Sequence, residues 1–444
     1  MKKLIQLADR ILVRYTPDPF VIAIILTWLT IGLAVWLTGS GFTGVVRQWG
    51  DGFWDLADFT LHMAMILLGG FVVATSPPVQ WVLRQMVALL QTPWQGVLFC
   101  TLAAMLASWV NWGLGLVVGG LVAVETARRL PDASFRVLVA AAYSGFLVWH
   151  GGLSGSIPLA VNTPDNFSLT WVQGQTIPLS QTLFGTVNLV ALAAMLLLLP
   201  VINLLLLRMT RDETGMAPSL PPPPDTAAST DPATVSGEQP LLLDRSIWMA
   251  LALVALAVIY LQILQSNHEF SLNLDSLNLV LFMTGLILHG SPRNFSRAVS
   301  EAIPKIAPIL IQYPLYAAIM AVLRESGLAS QIAEWFVSHS SATTFPLMTF
   351  YSAGLINLFV PSGGGQWGVQ APIVLPAAQA LGADIPKTVM AVAWGDAWTN
   401  MAQPFWAVPL LAIAGLRIRD VIGLSLVTLI ASGIVLSLVF LLVA

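Results

Sequence analysis

Charge is scarce in this sequence. Only 9% of its 444 residues are Asp, Glu, Lys or Arg, against about 25% in an ordinary soluble domain, and 57% are hydrophobic. No soluble surface can be built from that composition. Cysteine is nearly absent: Cys100 stands alone inside an apolar stretch, which excludes an intramolecular disulfide and any multi-cysteine metal site. A net charge of -3 gives no bulk attraction for nucleic acid, so no nucleic-acid partner is expected. H-E-x-x-H, Walker and C-x-x-C motifs are missing, which leaves metalloprotease, ATP-driven and redox chemistries without a motif.

What is present is a series of apolar blocks: 20–37, 60–73, 183–207, 247–264, 277–288 and 421–443. Several approach the roughly 20 residues that cross a hydrocarbon core about 30 Å thick. They are too many for an anchor, so the chain reads as an all-α polytopic membrane protein with the lipid bilayer as its first partner. Lys2, Lys3, Arg10 and Arg14 precede the first block, and no small-residue cleavage signature follows it, which reads as a retained span.

Residues 208–246 break the pattern. They contain Pro221 to Pro224 and are rich in Thr, Ser, Ala, Asp and Glu, a composition that cannot offset its ordering entropy by burial. This linker separates a first repeat, 1–207, from an extra span plus a second repeat, 247–444. Laid on each other at an offset of 251 positions, Leu138 to Gly145 meets Val389 to Asp396, and Pro158-Leu159 meets Pro409-Leu410. Asn111 and Asn357 occupy similar places when about five residues are inserted in the second half.

Lys and Arg beside short loops mark the cytoplasmic side. With the N-terminus inside, Arg84, Arg128, Arg129, Arg136, Arg208 and Arg211 fall inside, and Asp51, Asp55 and Asp58 fall outside. Residues 94–127 then enter and leave on the cytoplasmic side, as a re-entrant hairpin or as two short spans. The hairpin of the second repeat, about 344–382, opens from the outside, so the repeats are inverted, a hallmark of secondary transporters.

Backbone leaves the helix at membrane depth only where protein or a water-filled cavity satisfies its polar groups. Four breaks stand out: 111–115, 151–156, 361–366 and 399–404. At the third, Gly363, Gly364 and Gly365 follow Ser362 and precede Gln366. Glycines cost about 1 kcal/mol each in a helix, and their missing side chains let a ligand approach the amides. A half-helix starting there would turn its free N–H groups towards a carboxylate; close helix packing is the plainer alternative. The candidate substrate residues are Ser362, Gly363, Gly364, Gly365, Gln366, Asn111, Gly113, Gly115, Ser154, Ser156, Asn400 and Gln403.

Ionisable residues inside spans are functional candidates. Asp396, one turn before Asn400, is the first of them, as proton carrier, sodium ligand or buried acid satisfied by its neighbours. Coupling-ion candidates are Asn111, Asn357, Asp396 and Asn400, and Na+ could be held by Asn111, Ser154, Asn357 and Asn400. His62, His150 and Glu125 are weaker candidates. Most of the sixteen tryptophans suit interfacial belts, with Trp367 and Trp394 as exceptions beside the breaks. Gly152-Leu153-Ser154-Gly155 matches the G-x-S-G of rhomboid intramembrane proteases, yet the later histidines, His268, His289 and His339, lie in loops or at a span end. The expectation is a non-enzyme.

The segments at 360–384 (VPSGGGQWGVQAPIVLPAAQALGAD), 400–416 (NMAQPFWAVPLLAIAGL), 49–56 (WGDGFWDL) and 111–119 (NWGLGLVVG) resemble the bacterial short-chain fatty acid transporters of the AtoE type. The resemblance runs from PDPF at 17–20 to the last span. It implies uptake of short-chain monocarboxylates such as butyrate or acetoacetate across the bacterial inner membrane, with no organic cofactor and with Na+ or H+ as coupling ion. It also implies a homodimeric scaffold against which paired re-entrant hairpins slide as an elevator, as in the divalent-anion/sodium symporters that this family resembles. Where this chain has His150, Gln366 and Asp396, a glycine, a histidine and a glutamate can stand; the acid kept at 396 fits an ionic role. A passive anion channel is the alternative from another class.

Overall fold

The computed structural model describes residues 19–210, 242–267, 270–358, 360–402 and 405–443. The N-terminal cations, most of the expected linker (211–241), His268 and Gln403 lie outside the described residues. All regular elements among the described residues are helical. The first half runs α1 (Pro19–Thr38), α2 (Phe42–Asp51), α3 (Ala57–Thr75), α4 (Pro77–Ala88), α5 (Pro93–Val110), α6 (Trp112–Arg129), α7 (Phe135–Gly145), α8 (Ser156–Asn162) and α9 (Thr186–Met209). The second half runs α10 (Ile247–Ser266), α11 (Leu274–Leu288), α12 (Pro292–Glu325), α13 (Leu328–His339), α14 (Phe345–Asn357), α15 (Gly363–Leu381), α16 (Ile385–Thr399), α17 (Ala407–Ala414) and α18 (Ile422–Leu442). Among the described residues eight segments are long and apolar enough to cross a membrane, α7 and α8 counting as one broken unit.

Outward-facing residues explain why these helices need lipid. On α10, Leu251, Leu253, Leu256, Ile259 and Ile263 are all exposed, and the helix touches only α11 and α12 among its neighbours of any extent. An apolar patch of that size would aggregate in water, whereas acyl chains solvate it without cost.

Side-chain ties define the two ends of the bundle. At one end of α3, His62 Nε2 lies 2.7 Å from Asp275 Oδ1 at the start of α11, and Arg324 at the end of α12 pairs with Asp55 at 3.4 Å. At the other end His289 Nε2 bonds the Val72 carbonyl at 2.9 Å, and Lys305 stands over the Phe71 ring. Helix α15 runs parallel to α12, since Gly364, Gly365 and Gly368 abut Tyr313, Tyr316 and Met320 in turn. Gln379 and Lys387 therefore share the Asp55 end, together with Val443, whose carbonyl accepts from Lys387 Nζ. Arg136 Nε donates to the Asp420 carbonyl at 2.7 Å, at the opposite end of α18.

Each hairpin turns at a polar cap. Asn111 alone joins α5 to α6, with φ -155° and ψ 129°, and its side chain accepts from Leu114 N. Ser362 caps α15 with φ -154° and ψ 112° and faces Gly365 N in the same way. These caps stand 251 positions apart, the offset of the sequence repeat. Ser362, not Asn357, is therefore the counterpart of Asn111, and no insertion is needed; Asn357 ends α14 instead. The first hairpin closes along its length, with Gly96 against Thr126 and Gly115 against Ser108. Helix α15 pairs with α14 near the tip, where Gln366 Nε2 bonds the Ala353 carbonyl, and also packs on α12, α13 and α16.

Helices α14 and α16 cross at glycines: a Cβ on Gly395 would stand 2.3 Å from the Phe350 carbonyl oxygen, and one on Gly354 would stand 2.9 Å from the Trp398 ring. Small residues allow such contact between membrane helices. Gly395→Ala is expected to destabilise the protein by about 1–3 kcal/mol through overpacking. Gly44→Ala, which meets open space on α2, is expected to be neutral or mildly stabilising. Thermal unfolding of the two variants in detergent checks this; equal melting temperatures would refute the crossing.

Candidate functional site

The α7 unit breaks at mid-length because its backbone finds partners elsewhere. After α7 the chain tightens into a 3-10 turn, Phe146–Gly151, and Gly152 then lies against the backbone of Trp109, where a Cβ would be 2.3 Å from the carbonyl oxygen. Leu153 N donates to that same carbonyl at 2.7 Å. Ser154 Oγ accepts from Trp112 N, the first amide of α6, at 2.9 Å. The second break, at 151–156, is therefore stitched to the first, at 111–115.

The turn presents His150 to the other half of the chain. His150 Nδ1 lies 3.0 Å from Asp396 Oδ2, both side chains fully buried. Ile157 N donates to His150 Nε2 at 3.2 Å, so the network assigns the lone pair to Nε2 and the proton to Nδ1, which donates it to Asp396. His150 and Asp396 are the only charged or histidine side chains buried among the described residues. Asp396 Oδ1 has no partner among the described residues.

Ser156 Oγ stands 3.3 Å from His150 Nε2, which gives a Ser–His–Asp connectivity. The bond from Ile157 engages the lone pair that a general base would use, and all three side chains are buried. Ser154, the serine of the protease-like motif, caps α6 instead. Of the later histidines, His289 is tied to the Val72 carbonyl and His339 stacks on Trp335.

The tip of α15 is packed on every side. A Cβ at Gly363 would stand 2.5 Å from His150 Cε1, at Gly364 2.6 Å from the Phe59 ring and at Gly365 2.4 Å from the Tyr316 ring. Ser362 Oγ shares a 2.6 Å hydrogen bond with Tyr313 Oη. The half-helix expected after Ser362 is present, and in this conformation aromatic rings occupy the space that the glycines open.

The remaining site residues fall into two groups. Asn111 and Ser154 meet at the α6 tip, Asn111 Oδ1 receiving Leu114 N and Nδ2 reaching the Ile66 carbonyl at 3.4 Å. Asn357, Asp396 and Asn400 meet at the end of α14, where Asn357 Nδ2 donates to the Asp396 carbonyl at 2.7 Å, to Thr399 Oγ1 at 3.0 Å and to Asn400 Oδ1 at 2.8 Å. Asn357 Oδ1 and Gln366 Oε1 are buried without a partner among the described residues. Gly113 packs on Leu67, Gln366 Nε2 also donates to Gln370 Oε1, and Gln403 lies outside the described residues. Of the weaker candidates, His62 belongs to the Asp275 tie and Glu125 pairs with Arg128.

Sequence reasoning missed the partners of these groups. Tyr143 Oη donates to the Asn400 carbonyl at 2.6 Å and Trp394 Nε1 to Asn188 Oδ1 at 2.8 Å, each bond crossing between halves. The 251 offset, which lays Tyr143 on Trp394, was the available signal. Trp28, Trp36, Trp54, Trp81 and Trp248 are exposed as belt residues should be, and Trp367 and Trp394, the exceptions beside the breaks, are buried. Trp112, Trp149 and Trp406 are buried too, against the expectation of an interfacial belt.

Known proteins place this arrangement in context. An Escherichia coli (strain K12) protein named for short-chain fatty acid transport is 42% identical over 426 residues, 96% of each chain. A Haemophilus influenzae (strain ATCC 51907 / DSM 11121 / KW20 / Rd) protein of the same name is 39% identical over 423 residues, 94% of each. Among solved structures, the Alcanivorax borkumensis YdaH transporter, titled as revealing an unusual topology, superposes with a TM-score of 0.55 at 16% identity over 95% of this chain and 98% of that one, a likeness of fold alone. The description "Short chain fatty acid transporter" matches residues 1–443. The chain belongs to the short chain fatty acid transporter family.

Proposed function

We propose that this protein takes up short-chain monocarboxylates, such as butyrate and acetoacetate, together with a cation, H+ or Na+, by alternating access. The observation that carries the reading is the buried His150–Asp396 pair, held between the two halves beside the α15 tip. A carboxylate entering a negative-inside cell is opposed by about 2.3 kcal/mol per charge per 100 mV. A cation travelling with it removes that penalty. The unpartnered oxygens of Asp396, Asn357 and Gln366 are acceptors and not donors, which suits a proton or a sodium ion and not a second anion. A passive channel would need a continuous lining; the packed glycines of α15 and the complete burial of the pair favour a carrier.

The inverted-repeat reading is supported by the matched caps at Asn111 and Ser362 and by the cross-half bonds of Tyr143 and Trp394. In it α5–α6 and α14–α15 are re-entrant hairpins whose tips, 111–115 and 362–366, lie along the substrate path, with Ser154, Ser156 and Asn400 beside them. Asn111 with Ser154, and Asn357 with Asn400, are the proposed sodium ligands. The Arg136–Asp420 end faces the cytoplasm of the bacterial inner membrane, because Arg128, Arg129, Arg293, Arg297, Arg417 and Arg419 gather on that side. Elevator motion against a homodimeric scaffold completes the proposal, and a dimer mass by light scattering in detergent is its expected signature.

Two experiments test the reading. In proteoliposomes, labelled butyrate is expected to accumulate against its gradient under an imposed proton or sodium gradient and not without one. Asp396→Asn, which keeps a hydrogen-bonding side chain but loses the charge, is expected to abolish gradient-driven accumulation while exchange of butyrate across preloaded vesicles persists. Accumulation equal to that of the wild type would remove Asp396 from coupling. For orientation, Asp51→Cys in a Cys100→Ala background is expected to react with an impermeant thiol reagent in intact cells. Arg419→Cys is expected to react only after permeabilisation; the reverse pattern would invert the topology.

A further inference from the structure

The aromatic cluster at the α6 tip has no role in the arrangement so far. Trp112, Trp406, Phe146 and Trp149 form a closed circuit of ring contacts, with centroids 5.1 Å apart for Trp112 and Trp406, 6.3 Å for Trp406 and Phe146, 5.8 Å for Phe146 and Trp149, and 6.0 Å for Trp149 and Trp112. All four rings are more than nine-tenths buried. The Nε1 atoms of Trp112, Trp149 and Trp406 are buried and have no hydrogen-bond partner among the described residues. Trp49 and Trp367 also have unpartnered indole nitrogens, but they stand outside this circuit.

A single buried N–H without a partner costs about 1–3 kcal/mol, and buried tryptophans usually find one. Trp394 and Trp398 do, on Asn188 and on the Leu429 carbonyl. Three orphaned donors in one cluster are a standing cost that a ligand would relieve. Three amides of the neighbouring helix end are already engaged: Trp112 N by Ser154 Oγ, Leu114 N by Asn111 Oδ1 and Gly115 N by the Asn111 carbonyl. The indoles add three side-chain donors at the positive end of an 18-residue helix.

We propose that the Trp112–Trp149–Trp406 cluster is the carboxylate-binding site, its three indole N–H groups donating to the anion and its ring faces receiving the short acyl tail. The inference rests on the reading of the protein as a short-chain carboxylate carrier, and it moves the anion from the packed α15 tip to the α6 tip. A carboxylate offers about four lone-pair positions on two oxygens, enough for three donors. Ring faces alone would favour a cation, as quaternary ammonium ions are held in aromatic boxes; the orphaned N–H groups and the helix end favour an anion. Trp149 stacks on His150 at 3.9 Å, which sets this site directly beside the cation-binding pair.

The test is direct binding to the full-length protein carrying 15N-labelled indole nitrogens, with butyrate, 1-butanol and tetramethylammonium as probes. Butyrate is expected to shift three indole resonances, each lost in one of Trp112→Phe, Trp149→Phe and Trp406→Phe, while butanol leaves them in place. Each Phe variant keeps a ring but loses the donor. It is expected to raise the butyrate concentration for half-maximal uptake about tenfold or more, with a melting temperature equal to or above that of the wild type, since it deletes an unsatisfied group. Trp398→Phe, whose indole is bonded to the protein, is expected to melt lower with unchanged half-saturation. Shifts with tetramethylammonium but not butyrate, or three Phe variants with wild-type half-saturation, would overturn the assignment while leaving the carrier reading intact. If the wild type transports no short-chain carboxylate the carrier reading fails, and the indole shifts still decide the site.

Discussion

The burial of one hydrogen-bonded histidine–aspartate pair organises this protein. His150 and Asp396 stand 246 positions apart in sequence and 3.0 Å apart in space, with no exposure to solvent. Removing His150 would leave the buried carboxyl of Asp396 without its donor, a cost of about 1–3 kcal/mol. The geometry of the pair is set from several directions. Ile157 fixes the imidazole tautomer, the 3-10 turn aims the ring, and Gly363 leaves the space that the ring occupies. Because the pair bridges α16 and the α7 unit, neither half can shift alone without breaking it.

The helix breaks follow from the same requirement. A continuous α7 would satisfy its own backbone but could not turn His150 towards Asp396 and also start α8 with Ser156 beside the imidazole. Interrupting it frees amides and carbonyls, and in hydrocarbon each orphan costs several kcal/mol. The chain meets that cost locally. Trp109 supplies a carbonyl to Leu153, Ser154 supplies an oxygen to Trp112, and Tyr143 supplies a hydroxyl to the Asn400 carbonyl. Breaks from different parts of the chain thus satisfy one another, so they lie together in the interior instead of facing lipid.

Much of this was legible in the sequence. Apolar blocks of spanning length gave the membrane class, because no soluble alternative exists for 9% charged residues. Clusters of Gly, Ser and Asn located the breaks, because such residues are poor helix formers whatever surrounds them. Matching Asn111 to Asn357 hid the shared role of Asn111 and Ser362 as caps, because an asparagine pair draws the eye before a cap position does. The partner of Asp396 was out of reach, because a contact between distant residues leaves no periodic trace. Trp112, Trp149 and Trp406 were misjudged for a related reason: tryptophan is common both at interfaces and in cores, and only burial separates the two.

The adjacency of the pair and the indole cluster has a thermodynamic consequence for the proposed mechanism. In that mechanism Asp396 without its cation is a carboxylate, and Trp149 lies in ring contact with its partner His150. An anion at the indoles is repelled by that charge until a cation neutralises it. The repulsion is strong because the interior dielectric is low and no ions screen it. By linkage, whatever factor the cation adds to carboxylate affinity, the carboxylate adds to cation affinity. Two weak sites become one that fills with both ligands or with neither, which is the condition a symporter needs to avoid slipping an ion across alone. A third component, such as a mobile gate, is not required to couple them. The electrostatics of one charge beside one aromatic cluster suffices, and it operates whichever side of the membrane the site faces.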